Sequence, residues 1–191
     1  MALFFLDFNE IPVRMSDQFN SCTGISDGEC SRNNGTLIIR GECRDERMHG
    51  PWSLKDAQTG AVWWSGTYCN GLPCGEFHRR LDDNHEFMFH VQNMHIHGPA
   101  KTWEMFENRL TEYSGNYDHG KRKGRWVRNV EPGPVLHSVS IYDDTGSATS
   151  TTYYCKNGLR KEVRGQKIFF FDAQGNTLRN DPADPLVCPL P

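Results

Sequence analysis

Four histidines lie within thirteen positions of one another, at His85, His90, His95 and His97, and have the clearest potential for metal chemistry in this sequence. Imidazole nitrogens bind zinc and copper, and a His-x-His pair in a strand places both rings on one face. His95 and His97 form such a pair, with His90 as a third ligand across a hairpin. However, His49 holds the position of His97 in an earlier copy of a repeat, which indicates a repeat preference. The sequence therefore predicts no metal site and no cofactor, with His90, His95 and His97 as the alternative candidates.

Catalytic motifs are the second possible source of chemistry. The sequence contains no Gly-x-Ser-x-Gly elbow, no phosphate-binding glycine loop and no His-Glu-x-x-His pair. The paired acids Asp82-Asp83 and Asp143-Asp144 lie in predicted turns, where aspartate commonly forms the turn itself. We therefore predict that the chain is not an enzyme, that it has no catalytic residues and that it takes no small-molecule substrate.

Charge and hydropathy limit the partners. The chain has 191 residues and a formal net charge of -3, so it carries no overall electrostatic footprint for nucleic acid. One basic run, from Lys121 to Lys123 with Arg125 and Arg128, is interpreted as a solvated turn, with contact to a membrane surface as the alternative. No segment is apolar for long enough to form a membrane-spanning helix, and the first residues lack the basic start of a signal peptide. These features favour a cytoplasmic location.

A repeat of short strands organises the middle of the chain. Its best copy runs from Tyr113 to Trp126, and a glycine after the turn anchors each copy with spacings of 25, 23 and 26 residues. This period suits one pair of strands with its connections. The repeat-defining glycines are Gly41, Gly50, Gly66, Gly75, Gly98, Gly115 and Gly124.

Glycines in the repeat alternate with aromatic residues on one face of a strand. Gly66 lies between Trp64 and Tyr68, and Gly115 has the same setting. A glycine between two rings leaves a gap in which a ring from the next strand can lie. Phe89 replaces the glycine in the third copy, where we expect a bulge or altered ring packing.

The rest of the chain is assigned around this repeat. Residues 1–34 are predicted to be an N-terminal arm or cap, residues 35–178 the hairpin array, and residues 179–191 a proline-rich tail. The segment Trp103–Tyr113 contains good helix formers, but its place in the repeat favours two strands that turn at Glu107-Asn108. Val163–Phe171 is predicted to form one further strand.

Seven cysteines, without CxxC spacing, leave the redox compartment open. Cys69 and Cys74 occupy the positions that Asp118 and Lys123 hold in the best copy. Opposite charges at matching positions indicate that the two positions face each other across the hairpin. A Cys69–Cys74 disulfide is therefore predicted in an oxidising compartment, and two free thiols in a reducing one.

The pattern Tyr-Ser-Gly-Asn-Tyr-Asp-His-Gly-Lys-Arg-Lys-Gly-Arg-Trp of residues 113–126 resembles the MORN repeat in its looser bacterial form. The resemblance covers residues 35 to 175. It implies an all-β fold, an elongated single-layer antiparallel sheet of successive hairpins. It also implies a non-catalytic scaffold or adaptor, with lipid contact in some members and an antitoxin label in some bacterial ones.

Aromatic residues of the repeat are the predicted interaction surface. Both faces of a single-layer sheet are exposed to solvent, and an uncovered apolar stripe on such a face marks a binding site. The partner is predicted to be another protein, in a larger assembly. An antitoxin or immunity-type binding protein and a histidine-cluster metal-binding protein are the alternatives. The predicted surface residues are Trp52, Trp64, Tyr68, Trp103, Tyr113, Tyr117 and Trp126.

Overall fold

A computed structural model describes residues 22–178 with the exception of residues 107, 133, 134 and 157. The apolar N-terminal segment before residue 22 and the proline-rich tail from residue 179 onward lie outside the described residues. None of the described residues forms a helix that could cross a membrane.

The fold is all-β, and the prediction of successive antiparallel hairpins is confirmed. Fourteen described strands form one sheet, and their order in the sheet is their order in the sequence. The strands are β1 (Asp27–Asn33), β2 (Leu37–Arg44), β3 (Arg47–Asp56), β4 (Val62–Cys69), β5 (Leu72–Asp82), β6 (His85–Gln92), β7 (His95–Phe106), β8 (Arg109–Asp118), β9 (Lys121–Glu131), β10 (Val135–Tyr142), β11 (Ala148–Cys155), β12 (Arg160–Arg164), β13 (Lys167–Phe171) and β14 (Thr177–Leu178).

The chain divides into two compact units. Unit 1 contains the residues up to 80 together with residues 89–96, and unit 2 contains residues 81–88 together with those from 97 onward. In unit 1 the sheet begins inside the segment predicted as an arm, because β1 pairs with β2 and places Cys30 opposite Gly41.

Two strand predictions in unit 2 had different outcomes. The segment around residues 107–108 forms two strands, β7 and β8, as the repeat position required. The single strand predicted for Val163–Phe171 is wrong, because the chain turns at Gly165 and pairs Arg164 with Lys167. Gly165 has a φ of 56°, a left-handed conformation that glycine adopts without steric cost. Apolar residues on both sides of Gly165 indicated one continuous strand, so the sequence did not predict this turn.

Rings lying on glycines form the core of each unit. A Cβ atom built on Gly41 or on Gly66 of unit 1 would lie 2.1 Å from a ring atom of Trp52 or of Phe77, respectively. In unit 2 a Cβ atom on Gly115 would lie 2.3 Å from the Trp126 ring. Any larger residue would displace these rings. The predicted gaps between aromatic residues are therefore present and filled.

The anchor glycines have a different role from the glycines beneath the rings. Gly50, Gly75, Gly98 and Gly124 have φ values of 67°, 80°, 83° and 63°. In unit 2 the pairing of β8 with β9 shifts register opposite Gly124, between Ser114 and Asn116. Three residues of β9, 124 to 126, lie opposite the single Gly115 of β8, and extra residues that include a left-handed glycine are typical of a β-bulge. The register also shifts opposite Gly50 and opposite Gly75, so three anchor glycines of the repeat mark bulges.

Two hairpin turns have Glu46 and Met94 at the position where the other copies have glycine. Met94 has a left-handed backbone with a φ of 65°. The residues at the corresponding turn position in two other copies are Gly71 and Gly120. A left-handed backbone costs such a residue about 1–2 kcal/mol, and a glycine costs about 0.5–1 kcal/mol in chain entropy. We therefore expect Met94→Gly to raise the free energy of unfolding by roughly 0.5–1 kcal/mol, measured by urea denaturation. Met94→Ala is the control, because alanine keeps the Cβ atom, and an equal gain for alanine would contradict this explanation.

Candidate functional site

The predicted aromatic surface is mostly core. The expectation that all seven residues are exposed is wrong for five of them, because Trp52, Trp64, Tyr68, Tyr117 and Trp126 are between 1% and 5% exposed. The rings pack on one another as well as on the glycines. Within unit 1 the Tyr68 ring lies 5.8 Å from both Trp64 and Phe77, between ring centroids. Mutual packing of this kind contributes to the burial of these rings.

Trp103 and Tyr113, the other two predicted surface residues, are half-buried and lie on opposite faces of unit 2. We call the face of β8 that carries Tyr113 and Tyr117 the inner face, and the opposite face the outer face. Thr102 pairs with Tyr113 and Trp103 pairs with Glu112, so Trp103 lies on the outer face. The two residues therefore do not form one surface.

An apolar patch lies on the outer face of the β7–β8 hairpin, and it was not predicted. Met105 and Leu110 are cross-strand partners, and each is 41% exposed. Together with Trp103 they form what we call the outer patch. Lys101 and Glu112 hold the tryptophan in place, because Glu112 Oε2 accepts a 3.1 Å hydrogen bond from the indole and Lys101 Nζ lies 5.9 Å from the ring centroid.

The basic run of β9 is divided between the two faces of the sheet. Lys121 pairs with Asp118 and Lys123 pairs with Asn116, which places both lysines on the outer face. Arg122 lies on the inner face, with its guanidinium 4.6 Å from the Trp126 ring centroid. The run is therefore not one continuous cationic surface.

The ends of two hairpins carry equivalent side-chain links. Cys69 and Cys74 form a disulfide with a Cα–Cα distance of 5.9 Å. In the fourth copy Lys123 Nζ donates a 2.9 Å hydrogen bond to Asp118 Oδ2. A covalent link and an ion pair thus occupy matching places. A second disulfide, between Cys22 and Cys43, was not predicted.

One described cluster contains three potential metal ligands within 4.8 Å of one another, namely His97, Asp118 and His119. It includes His97 from the predicted candidates, and neither His90 nor His95. His97 Nδ1 lies 3.4 Å from Asp118 Oδ1, and His119 Nδ1 lies 2.6 Å from the same oxygen. Two nitrogens and one carboxylate oxygen thus converge on the outer face at the end of the β8–β9 hairpin.

The Asp118 carboxyl is held in its ionised form. Hydrogen bonds from Lys123 and then from His119 lower the pKa of Asp118 below its usual value. Lys123 Nζ also lies 3.3 Å from Asp144 Oδ1, so the lysine bridges two carboxylates. Asp118 Oδ2 is therefore occupied by the lysine, whereas Oδ1 faces the two imidazoles.

Together the fold and these surfaces define a repeat protein of successive β-hairpins. Comparison with protein-family models and with curated proteins gave no match to this chain.

Proposed function

We propose that this chain is a non-catalytic scaffold or adaptor built from MORN-like hairpin repeats, and that it binds another protein. The observation that carries the proposal is the outer patch, with its exposed Met105 and Leu110 beside a fixed Trp103. Apolar side chains grouped on a polar surface are typical of a binding site, and a fixed aromatic ring loses little entropy on binding. The proposed binding surface is therefore the outer patch and not the buried aromatic residues.

The partner is a protein surface that combines apolar side chains with carboxylates. Lys121 and Arg125 are exposed on the same outer face, with Lys121 paired with Asp118 at the opposite end of β8 from Leu110, and none of the described carboxylates lies within ion-pair distance of either cation. Arg125 also pairs across the strands with Ile141, which is 40% exposed. Cations next to apolar side chains favour an acidic partner, because complementary charge guides association.

The test is native mass spectrometry of the chain purified from its source, with variants expressed in the same cells. We expect one protein to co-purify with the wild-type chain in a fixed ratio. Met105→Thr combined with Leu110→Thr should weaken that complex by about tenfold or more, since it removes two contact side chains and keeps strand propensity. Circular dichroism should show an unchanged fold.

Leu72→Thr is the matched control. Leu72 is 54% exposed in unit 1, so the same chemical change is made away from the outer patch. Equal loss of the partner in both variants would contradict the assignment of the patch. A wild-type chain that purifies alone, or one that binds anionic phospholipid vesicles and no protein, would overturn the proposed function.

A further inference from the structure

We propose that His97, Asp118 and His119 bind one Zn²⁺ ion on the outer face of unit 2. This site is separate from the outer patch and does not depend on the proposed protein partner. Two imidazole nitrogens and one carboxylate oxygen form a ligand set that zinc commonly takes, and a fourth position stays open for water or for a ligand from another molecule.

Strand register places the first two ligands together. Gly98 pairs with Tyr117 across β7 and β8, so the preceding residue, His97, lies beside the following residue, Asp118. Both side chains point to the outer face. A strand pair is a rigid support, which is what a metal site requires of its ligands.

A tight turn supplies the third ligand. His119 has a φ of 48° and Gly120 has a φ of 81°, which are the left-handed values of a two-residue hairpin turn. This conformation directs the His119 ring back over the end of the strands. The rings of His97 and His119 lie 5.4 Å apart, with 78° between their planes.

One of the ligand distances already matches zinc coordination. Zinc bonds of about 2.0–2.1 Å in a tetrahedral arrangement separate neighbouring ligand atoms by about 3.3 Å. His97 Nδ1 and Asp118 Oδ1 are 3.4 Å apart already. The shorter contact of 2.6 Å between His119 Nδ1 and Asp118 Oδ1 is a hydrogen bond, and it lengthens when the ion replaces the shared proton. All three ligand atoms already lie within 4.8 Å of one another, so side-chain adjustment alone is needed to complete the site.

Lys123 positions the carboxylate and also opposes the ion. Its ammonium group holds Asp118 Oδ2 at 2.9 Å, which leaves Oδ1 for the metal. A nearby positive charge weakens cation binding, although Asp144 Oδ1, at 3.3 Å from Lys123 Nζ, offsets part of that charge. Removal of the lysine charge should therefore tighten zinc binding.

We call a junction the residue before one anchor glycine together with the residues six and five positions before the next anchor glycine. By sequence position, no other junction of the repeat provides this ligand set. The three equivalent positions hold His49, Cys69 and Asn70 at the first junction, and Cys74, Gln92 and Asn93 at the second. Cys69 and Cys74 bond to each other, so they do not serve as thiolate ligands. The cluster of His97, Asp118 and His119 thus occurs at the third junction. His49 is equivalent to His97, but the other two positions of its junction do not provide the same ligands.

Isothermal titration of the full chain with ZnCl₂ at neutral pH tests the site. We expect one bound ion per chain, and at least a tenfold weaker affinity in His97→Asn and in His119→Asn. Asparagine preserves the turn, because Asn70 and Asn93 have φ values of 51° and 50° at the position equivalent to His119. Lys123→Gln should bind zinc several-fold more tightly than wild type.

His90→Asn is the control, because His90 belongs to the histidine-rich segment and lies outside the cluster. Its zinc affinity should equal that of wild type. An absence of binding heat together with the absence of the visible absorption of a tetrahedral Co²⁺ complex would overturn the proposal. Wild-type affinity in His119→Asn, or an equal loss in His90→Asn, would overturn it as well.

Discussion

Gly115→Phe should lower the free energy of unfolding by about 3–5 kcal/mol, which is comparable with the loss of a buried tryptophan. A Cβ atom at this position would lie 2.3 Å from Trp126 Cδ2, inside the indole ring's contact distance. Trp126 is 3% exposed, and its indole donates a 3.0 Å hydrogen bond to the backbone oxygen of Asn116. The new side chain therefore displaces the ring and breaks this bond.

Chemical denaturation monitored by circular dichroism measures the effect. Ser114→Phe is the matched control, because Ser114 is the preceding residue on the same strand and its side chain points to the outer face, away from the Trp126 ring. Its cost should be below about 1 kcal/mol, as for most surface substitutions. Equal destabilisation by the two substitutions would show that strand β8 resists any large residue, and that the ring contact is not the cause.

The third copy of the repeat suggests how to rescue Gly115→Phe. That copy has Phe89 at the glycine position and Ala100 at the position of Trp126, and both residues are 4% exposed. Relative to Gly115 and Trp126, the aromatic residue and the small residue have therefore exchanged sequence positions. Gly115→Phe with Trp126→Ala reproduces that exchange, so the double variant should be at least about 2 kcal/mol more stable than the sum of the single effects predicts. Additive losses would contradict the exchange.

The same exchange explains one limit of the sequence prediction. Phe89 was recognised as a departure from the repeat, and altered ring packing was expected there; in unit 1 its ring stacks on Phe77 with 5.7 Å between centroids. Ala100, which holds the position of Trp126 in that copy, was not singled out by the sequence prediction. Hairpin strands and turn positions within the repeat were predictable, since glycine, aromatic residues and period 2 specify them locally, whereas the turn at Gly165 outside its clear copies was missed.

Properties that depend on how neighbouring strands align were not predictable from the repeat alone. The prediction of an exposed aromatic stripe was wrong because a count of aromatic residues does not show that Trp52 and Trp126 lie on glycines of the neighbouring strand and that other rings pack on one another. The cluster around Asp118 was missed for a related reason. The sequence repeat relates His97 to His49, its equivalent along the chain, whereas the neighbours of His97 in space, Asp118 and His119, come from the following hairpin.

Loss of the Cys22–Cys43 disulfide should cost about 3 kcal/mol of stability, the second largest effect that we expect. The bond closes a sequence separation of 21 residues, and a loop of this length restricts the unfolded chain by about that amount. Both side chains are buried, at 3% and 4% exposure, so the pair Cys22→Ala with Cys43→Ala removes the link without placing a polar group in the core. Urea denaturation of the oxidised protein measures the change.

The second hairpin supplies an internal control for this loop argument. Cys69→Ala with Cys74→Ala opens a link that spans a separation of only 5 residues, for which the chain-entropy estimate is about 2 kcal/mol. The longer loop also contains the whole of β1, which pairs with β2 through seven registered residues and is otherwise exposed on nearly every side chain. We therefore expect β1 amides to lose hydrogen-exchange protection in the Cys22 and Cys43 variant and to keep it in the other. The reverse order of stability loss would show that local packing at the hairpin end, and not loop closure, sets the contribution of these bonds.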